Sequence, residues 1–235
     1  TINEDAYLDQ PERGLWVVAD GMGGHTLGDF ASRSIIESLN NLPAPNTLAT
    51  YAADVRDRLQ TVNRQLRAEA DLRHVQIIGS TVVALLACDR YCAYLWAGDS
   101  RIYLYRDGSL RQLTRDHSQV EELKSISNLV SEAIINHTAR NLITRAIGAA
   151  DTLDLEEETL EVNDGDMFLL CSDGLSNEVS EEEMRNALVP GNCRHASETL
   201  LDMALMRGGH DNISIIVARA DDLGSSDKTV LNPAL

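Results

Sequence analysis

The stretch Tyr91-Cys-Ala-Tyr-Leu-Trp-Ala-Gly-Asp-Ser-Arg-Ile-Tyr-Leu-Tyr105 sets two apolar, aromatic-rich runs on either side of Gly98-Asp99-Ser100. Each run has strand length and strand-favouring residues, and the Gly-Asp-Ser between them is turn chemistry, so the stretch predicts a hairpin. Asp107-Gly108 predicts the next turn of a meander. Neither run alternates apolar with polar residues. Strands of that kind are buried on both faces, which calls for sheets packed on one another and flanked by helices.

Similar runs at 15–19, 81–87, 167–170 and 213–217 predict further strands. Between the first two, Leu48, Tyr51, Ala52, Val55, Leu59, Val62 and Leu66 recur at three- and four-residue steps, the stripe of a helix with one buried face. Ala31, Ile35, Ile36 and Leu39 form a shorter stripe before it, with Pro43 and Pro45 in the connection. Ser180 with Glu183 forms a capping box, and a later helix ends at Gly208-Gly209. The class is α+β. Residues 1–220 read as one domain, with a mobile helical flap at about 116–141 and a C-terminal tail over 221–235.

The 235-residue chain carries a formal net charge of −17 without a Lys/Arg run, which opposes nucleic acid as a partner. No apolar stretch approaches the roughly 18 to 20 residues of a membrane span. The acidic runs Glu156-Glu157-Glu158 and Glu181-Glu182-Glu183 read as solvated loop or helix-start surface. Cys88, Cys92, Cys171 and Cys193 lack C-x-x-C spacing, and two lie in strand-like runs, which fits free thiols and a cytoplasmic setting. The chain starts at Thr1 rather than Met, so a natural start upstream is expected.

Three apolar runs lead into an aspartate and then a small residue, at Asp20-Gly21, Asp99-Ser100 and Asp173-Gly174, and Asp211 opens the last run from the other side. Carboxylates gathered at sheet ends about 4 Å apart repel by about 4 kcal/mol at an effective dielectric of 20, a penalty that a divalent cation removes. An all-oxygen set without His or Cys selects Mg²⁺ or Mn²⁺ over Zn²⁺. Gly21, Gly23 and Gly24 let the backbone turn so that a carbonyl reaches the metal. Paired ions of this kind lower the pKa of a shared water and neutralise charge at phosphorus, which points to phosphate-ester hydrolysis. The chain has no G-x-x-x-x-G-K-[ST], so neither a kinase nor a P-loop ATPase is supported.

Asn3-Glu4-Asp5-Ala6, Val17-Val-Ala-Asp20-Gly-Met-Gly-Gly24, Gly79-Ser-Thr81, Ala97-Gly-Asp99-Ser-Arg101, Thr144-Arg-Ala-Ile-Gly148, Leu170-Cys-Ser-Asp173-Gly-Leu175 and Gly209-His-Asp211-Asn212, in this order, resemble the bacterial PPM/PP2C protein serine/threonine phosphatases. The resemblance implies a four-layer α-β-β-α sandwich of two mostly antiparallel sheets, with two Mn²⁺ or Mg²⁺ ions in a cleft between the sheet ends. It makes Asp20 the bridging ligand, Asp173 and Asp211 ligands of the first metal, and Glu4 with the Gly21 carbonyl ligands of the second. Asp5 would hold coordinated waters, Asp99 would bind a third ion with Asp173 shared, and Ser80, Thr81 and Asn212 would stand behind the ligands.

Two positions depart from the family pattern. The arginine that binds substrate phosphate in many relatives would fall upstream of Thr1, and Met22 occupies the place of a histidine that follows the bridging aspartate in several eukaryotic relatives. His25, His117 and His210 sit near the motifs and read as loop or supporting residues rather than catalysts. The alternative to an enzyme is a catalytically weak phosphoprotein-binding regulator of the same fold, which the complete carboxylate set opposes. A metal-dependent nuclease is opposed by the charge. Leu15-Trp-Val-Val-Ala-Asp20, Leu95-Trp-Ala-Gly-Asp-Ser-Arg101 and Arg115-Asp-His-Ser-Gln119 look like the phosphatase encoded with bacterial type VI secretion systems. That likeness implies phosphorylated protein substrates, a cognate Ser/Thr kinase and a forkhead-associated scaffold.

Overall fold

The apolar runs are strands in a computed structural model that describes residues 2–23, 26–43, 46–126 and 142–221. Strands β1 (Asp5–Gln10), β2 (Leu15–Met22), β3 (Gly79–Ser80), β4 (Val82–Cys88), β5 (Tyr91–Ala97) and β8 (Glu156–Glu161) form one sheet. Its order is β1-β2-β4-β5-β8, and β3 extends β2. Strands β6 (Arg101–Arg106), β7 (Ser109–Gln112), β9 (Met167–Cys171) and β10 (Ile215–Arg219) form the other, in the order β10-β9-β6-β7. All pairings are antiparallel. The described helices are α1 (Thr26–Asn40), α2 (Leu48–Arg73), α3 (Gln119–Ile126), α4 (Asp173–Ser176), α5 (Glu181–Leu188) and α6 (Cys193–Met206).

Period-two alternation produces four layers. Leu15, Val17 and Ala19 of β2, with Val82, Ala84 and Leu86 of β4 and Leu95 of β5, pack under α1 and α2. Val18, Val83, Leu85, Tyr94 and Trp96 turn the other way and meet Ile102, Leu104, Phe168, Leu170 and Ile216 of the second sheet. The far face of that sheet, with Tyr103, Leu169 and Cys171, is covered by Leu188, Ala196 and Leu200 of α5 and α6. Strands buried on both faces therefore need no polar alternation, as the sequence required. The α2 stripe is in the core as expected, with Tyr51, Val55, Leu59, Val62 and Leu66 almost wholly buried. Each such side chain contributes about 1.5–3 kcal/mol relative to exposure. Ser180 and Glu183 form the expected capping box.

Three expectations need correction. Gly98-Asp99-Ser100 is not a hairpin turn: β5 and β6 lie in different sheets, so the segment crosses between them, and the hairpin at Asp107-Gly108 joins β6 to β7. Glu156-Glu157-Glu158 is neither loop nor helix start but the first half of edge strand β8. An edge strand tolerates charge, and here Glu157 meets Arg56 of α2 while Glu158 accepts from the Tyr94 hydroxyl. The final strand begins at Ile215, which leaves 211–214 as a loop. Of the expected flap, α3 is seen, while 127–141 lies outside the described residues, as does the tail from 222 onward.

Cys88, Cys92, Cys171 and Cys193 are free thiols. Among the described residues no helix is long and apolar enough to cross a membrane.

Candidate metal centre

Antiparallel register places Asp5 directly opposite Asp20 at one end of the first sheet. By the alternation that turns Val18 toward the second sheet, Asp20 falls on the inter-sheet face. Asp99 ends the crossover from β5, Asp173 begins α4 just after β9, and Asp211 lies in the loop before β10. Residues from five separate segments thus meet at the rim where the two sheets face each other.

Their electrostatics report the convergence. Burial, then the charges of Asp5, Asp173, Asp99 and Asp211, push the Asp20 carboxyl far above the ordinary carboxylate range. Burial first, and then Asp211 and Asp5, also raise Asp173, which lies within hydrogen-bonding reach of Asp20. Asp5 is raised mainly by burial and likewise reaches Asp20. Asp99 is pushed up to about 7 by burial, Asp173 and Asp116.

Among the described residues no three His, Cys, Asp or Glu side chains close into a ready-made coordination sphere. The carboxylates form an acidic cluster instead, in which Asp5 and Asp173 each reach Asp20 while the others act on it through their charge. Such spacing leaves coordination to be completed by main-chain oxygen and solvent. The donor set nevertheless fits a hard cation. Oδ1 of Asp5, Asp99 and Asp173 is buried without a hydrogen-bond partner among the described residues, an arrangement that is costly unless something positive takes it up.

The Glu4 side has its own cradle. The Gly21 amide donates to the Glu4 carbonyl at 3.1 Å, and the Glu4 amide donates to Asn212 Oδ1 at 2.8 Å, tying the N-terminal segment to the Asp211 loop. A Cβ on Gly28 would lie 2.7 Å from Glu4 Oε1 and 2.8 Å from the Gly21 carbonyl oxygen. Those two oxygens therefore converge on the first turn of α1, and only a glycine leaves the space between them open.

Supporting contacts bear out part of what was expected of Ser80 and Thr81. The Thr81 amide donates to the Asp20 carbonyl at 2.8 Å, the Asp20 amide to Thr81 Oγ1 at 3.1 Å, and Ser80 Oγ to the Asp20 carbonyl at 2.9 Å. The sequence reading missed Gly28 and also Ser172. Ser172 Oγ donates to Asp5 Oδ2 at 2.8 Å and accepts from the Ser214 amide at 2.9 Å, so one hydroxyl locks β9 to β10 and orients Asp5. The serine between Cys171 and Asp173 was the available signal. His210 is exposed and pairs with Glu178.

Comparison with known proteins agrees with this geometry. Residues 1–206 match the family described as Protein phosphatase 2C. The serine/threonine protein phosphatase PstP of Mycobacterium tuberculosis is 37% identical over an alignment of 215 residues, with 88% of this chain and 40% of PstP covered. The structure described as PppA, a key regulatory component of T6SS in Pseudomonas aeruginosa, is 44% identical with a TM-score of 0.88, covering 94% of this chain and 92% of that one. The PstP catalytic domain in complex with two manganese ions is 32% identical with a TM-score of 0.80, covering 94% of this chain and 92% of that one.

Proposed function

The chain belongs to the protein phosphatase 2C family, and from that membership we propose that it is a metal-dependent protein serine/threonine phosphatase acting on phosphothreonine and phosphoserine. The observation that carries this reading is the shared acidic cleft of Asp5, Asp20, Asp99, Asp173 and Asp211 beside the Glu4–Gly21 cradle. Asp20, Asp173 and Asp211 would hold one cation, Asp20 with Glu4 and the Gly21 carbonyl a second, and Asp99 with Asp173 a third. Mn²⁺ or Mg²⁺ bound there supplies a water of lowered pKa and neutralises charge at the phosphoryl group.

The chain's own part is placement. Without cations the acidic cluster offers a phosphate group no positive partner and repels it wherever its carboxylates are ionised. The carboxylates therefore set a condition: substrate enters only a loaded site. Ser172 keeps Asp5 aimed at Asp20, and Asn212 keeps Glu4 at the same rim. The catalytic unit is residues 1–220.

Hydrolysis of a phosphothreonine peptide with Mn²⁺, repeated with chelator and with Asp211→Asn, tests the proposal. Release of phosphate that both treatments abolish is expected. A flat result throughout would transfer the chain to the phosphoprotein-binding reading.

The finer reading is a role beside type VI secretion, in the cytoplasm, opposing a Ser/Thr kinase that phosphorylates a forkhead-associated scaffold. Its support is the 44% identity to PppA. Phosphothreonine on such a scaffold should rise when the protein is deleted, and unchanged levels would count against this role.

A further inference from the structure

Asp99 is held differently from its neighbours in the cleft. Ser172 donates to Asp5, and Asn177 donates to Asp173 at 3.1 Å. No comparable side-chain donor holds Asp99 among the described residues, and its Oδ1 is buried without a hydrogen-bond partner there. Its direction is therefore set by the main chain around it. Gly98, the residue before it, has φ of 114°, and a Cβ there would lie 2.6 Å from Thr81 Cβ and Cγ2. The turn is one that only glycine accepts, and something must hold it.

That something is the segment leading into α3. The His117 amide donates to the Gly98 carbonyl at 2.9 Å, and the Gly98 amide donates back to His117 Nδ1 at 3.2 Å. Both polar groups of Gly98 are satisfied by this one residue. Because Nδ1 accepts, the proton is on Nε2, which faces Glu156 Oε1 at 3.1 Å; Arg145 reaches the same oxygen at 2.9 Å. The ring is 5% exposed and stacks on Trp96 at a centroid distance of 6.0 Å. On the far side of Asp99, Arg101 pairs with Asp116, Nε donating to Oδ1 at 2.9 Å and to Oδ2 at 3.1 Å and Nη2 to Oδ2 at 2.7 Å. Asp116 and His117 thus grip the crossover on both sides of Asp99.

We infer that His117 is a positioning residue: by closing both hydrogen bonds on Gly98 it aims the Asp99 carboxylate into the acidic cleft and sets the affinity of the cation position that Asp99 serves. The inference rests on the proposed role of Asp99 as a ligand. Supporting partners of metal ligands are worth about 10- to 100-fold in affinity, and this partner acts through a backbone turn.

The chemistry of the side chain supplies the test. Asparagine branches where Nδ1 does and can accept the Gly98 amide, whereas glutamine reaches Nε2 and can hold Glu156 but not Gly98. Mn²⁺ binding to the full chain is followed by the paramagnetic resonance of free ion, and Gly98 amide protection by hydrogen exchange. His117→Ala and His117→Gln should weaken the weakest Mn²⁺ site by about 10- to 100-fold and expose the Gly98 amide, while His117→Asn stays within a few-fold and keeps protection. Asp99→Ala should remove the site. If Asp99→Ala removes it while the three His117 variants bind alike, the positioning role is overturned even when His117→Ala is too unstable to use, since Asn and Gln still compare. If Asp99→Ala leaves Mn²⁺ binding intact, the ligand reading of Asp99 falls and takes the inference with it.

Discussion

Replacing Gly28 by alanine sets two effects of opposite sign against each other. In an exposed helix interior the change favours the helix by about 1 kcal/mol. Gly28, however, is buried in the first turn of α1, and the new methyl carbon would sit 2.7 Å from Glu4 Oε1, 2.8 Å from the Gly21 carbonyl oxygen and 2.9 Å from Glu4 Cδ. Glu4 can swing away, but the Gly21 oxygen belongs to β2 and cannot. Overpacking of this kind costs about 1–3 kcal/mol, so the net change is a loss of about 0–2 kcal/mol. At about 2–4 °C per kcal/mol for a domain of this size, the melting temperature should fall only slightly. The larger effect should fall on the proposed second cation position, to which both displaced oxygens are assigned; its affinity should drop by about 10- to 100-fold. Thermal melts and Mn²⁺ titration calorimetry on Gly28→Ala, Glu4→Ala and the double variant resolve the terms, with a stability coupling of about 0.5–3 kcal/mol expected between the two sites. A Gly28→Ala protein that melts higher and binds Mn²⁺ as tightly as the parent would refute the cradle.

Ser172→Ala removes the hydroxyl that holds Asp5 and strands the buried Ser214 amide; chemical denaturation should register a loss of about 1–3 kcal/mol, and no loss would show that Asp5 is oriented otherwise. The metal-free protein should melt lower as pH rises. A carboxyl whose folded-state pKa is raised contributes stability at low pH that is lost as pH passes that value, here about 7 for Asp99. Scanning calorimetry should show this fall from about pH 4, the ordinary carboxylate range, up to about pH 7 and beyond, made shallower by Asp99→Asn, kept in part by Asp20, which is raised further, and flattened by Mn²⁺; a rise would contradict the burial of these carboxyls. Arg106→Ala, remote from the cleft, leaves Asp166 buried at 2% exposure without its bidentate partner and should cost about 3–5 kcal/mol in unfolding experiments while per-molecule phosphatase activity holds.

Part of the candidate site could be read from local sequence because Asp99 and Asp173 sit just past the ends of β5 and β9 and Asp20 lies two residues from the end of β2, places marked by an apolar run meeting Asp-Gly or Asp-Ser. The two-faced burial of β4, β5 and β9 was equally legible, since alternation is missing wherever both faces are covered. Local pattern fails where pairing is decided at a distance. Two strands joined by Gly-Asp-Ser look the same whether they pair with each other or enter separate sheets, and here they separate. β8 was hidden because its glutamates find partners only in three dimensions, Glu157 on Arg56 and Glu156 on Arg145 and His117. Ser172 acts on an aspartate 167 positions earlier, and the need for glycine at 28 arises from oxygens of Glu4 and Gly21. No spacing rule in the chain expresses either relation.

Crystals grown with Mn²⁺ and measured at the manganese absorption edge would locate the ions without reference to activity. Two anomalous peaks flanking Asp20 are expected, one beside Asp173 and Asp211 and the other beside Glu4 and the Gly21 carbonyl. Peaks confined to other parts of the surface, with Asp20, Asp173 and Asp211 bare, would contradict the metal centre and the phosphatase chemistry built on it.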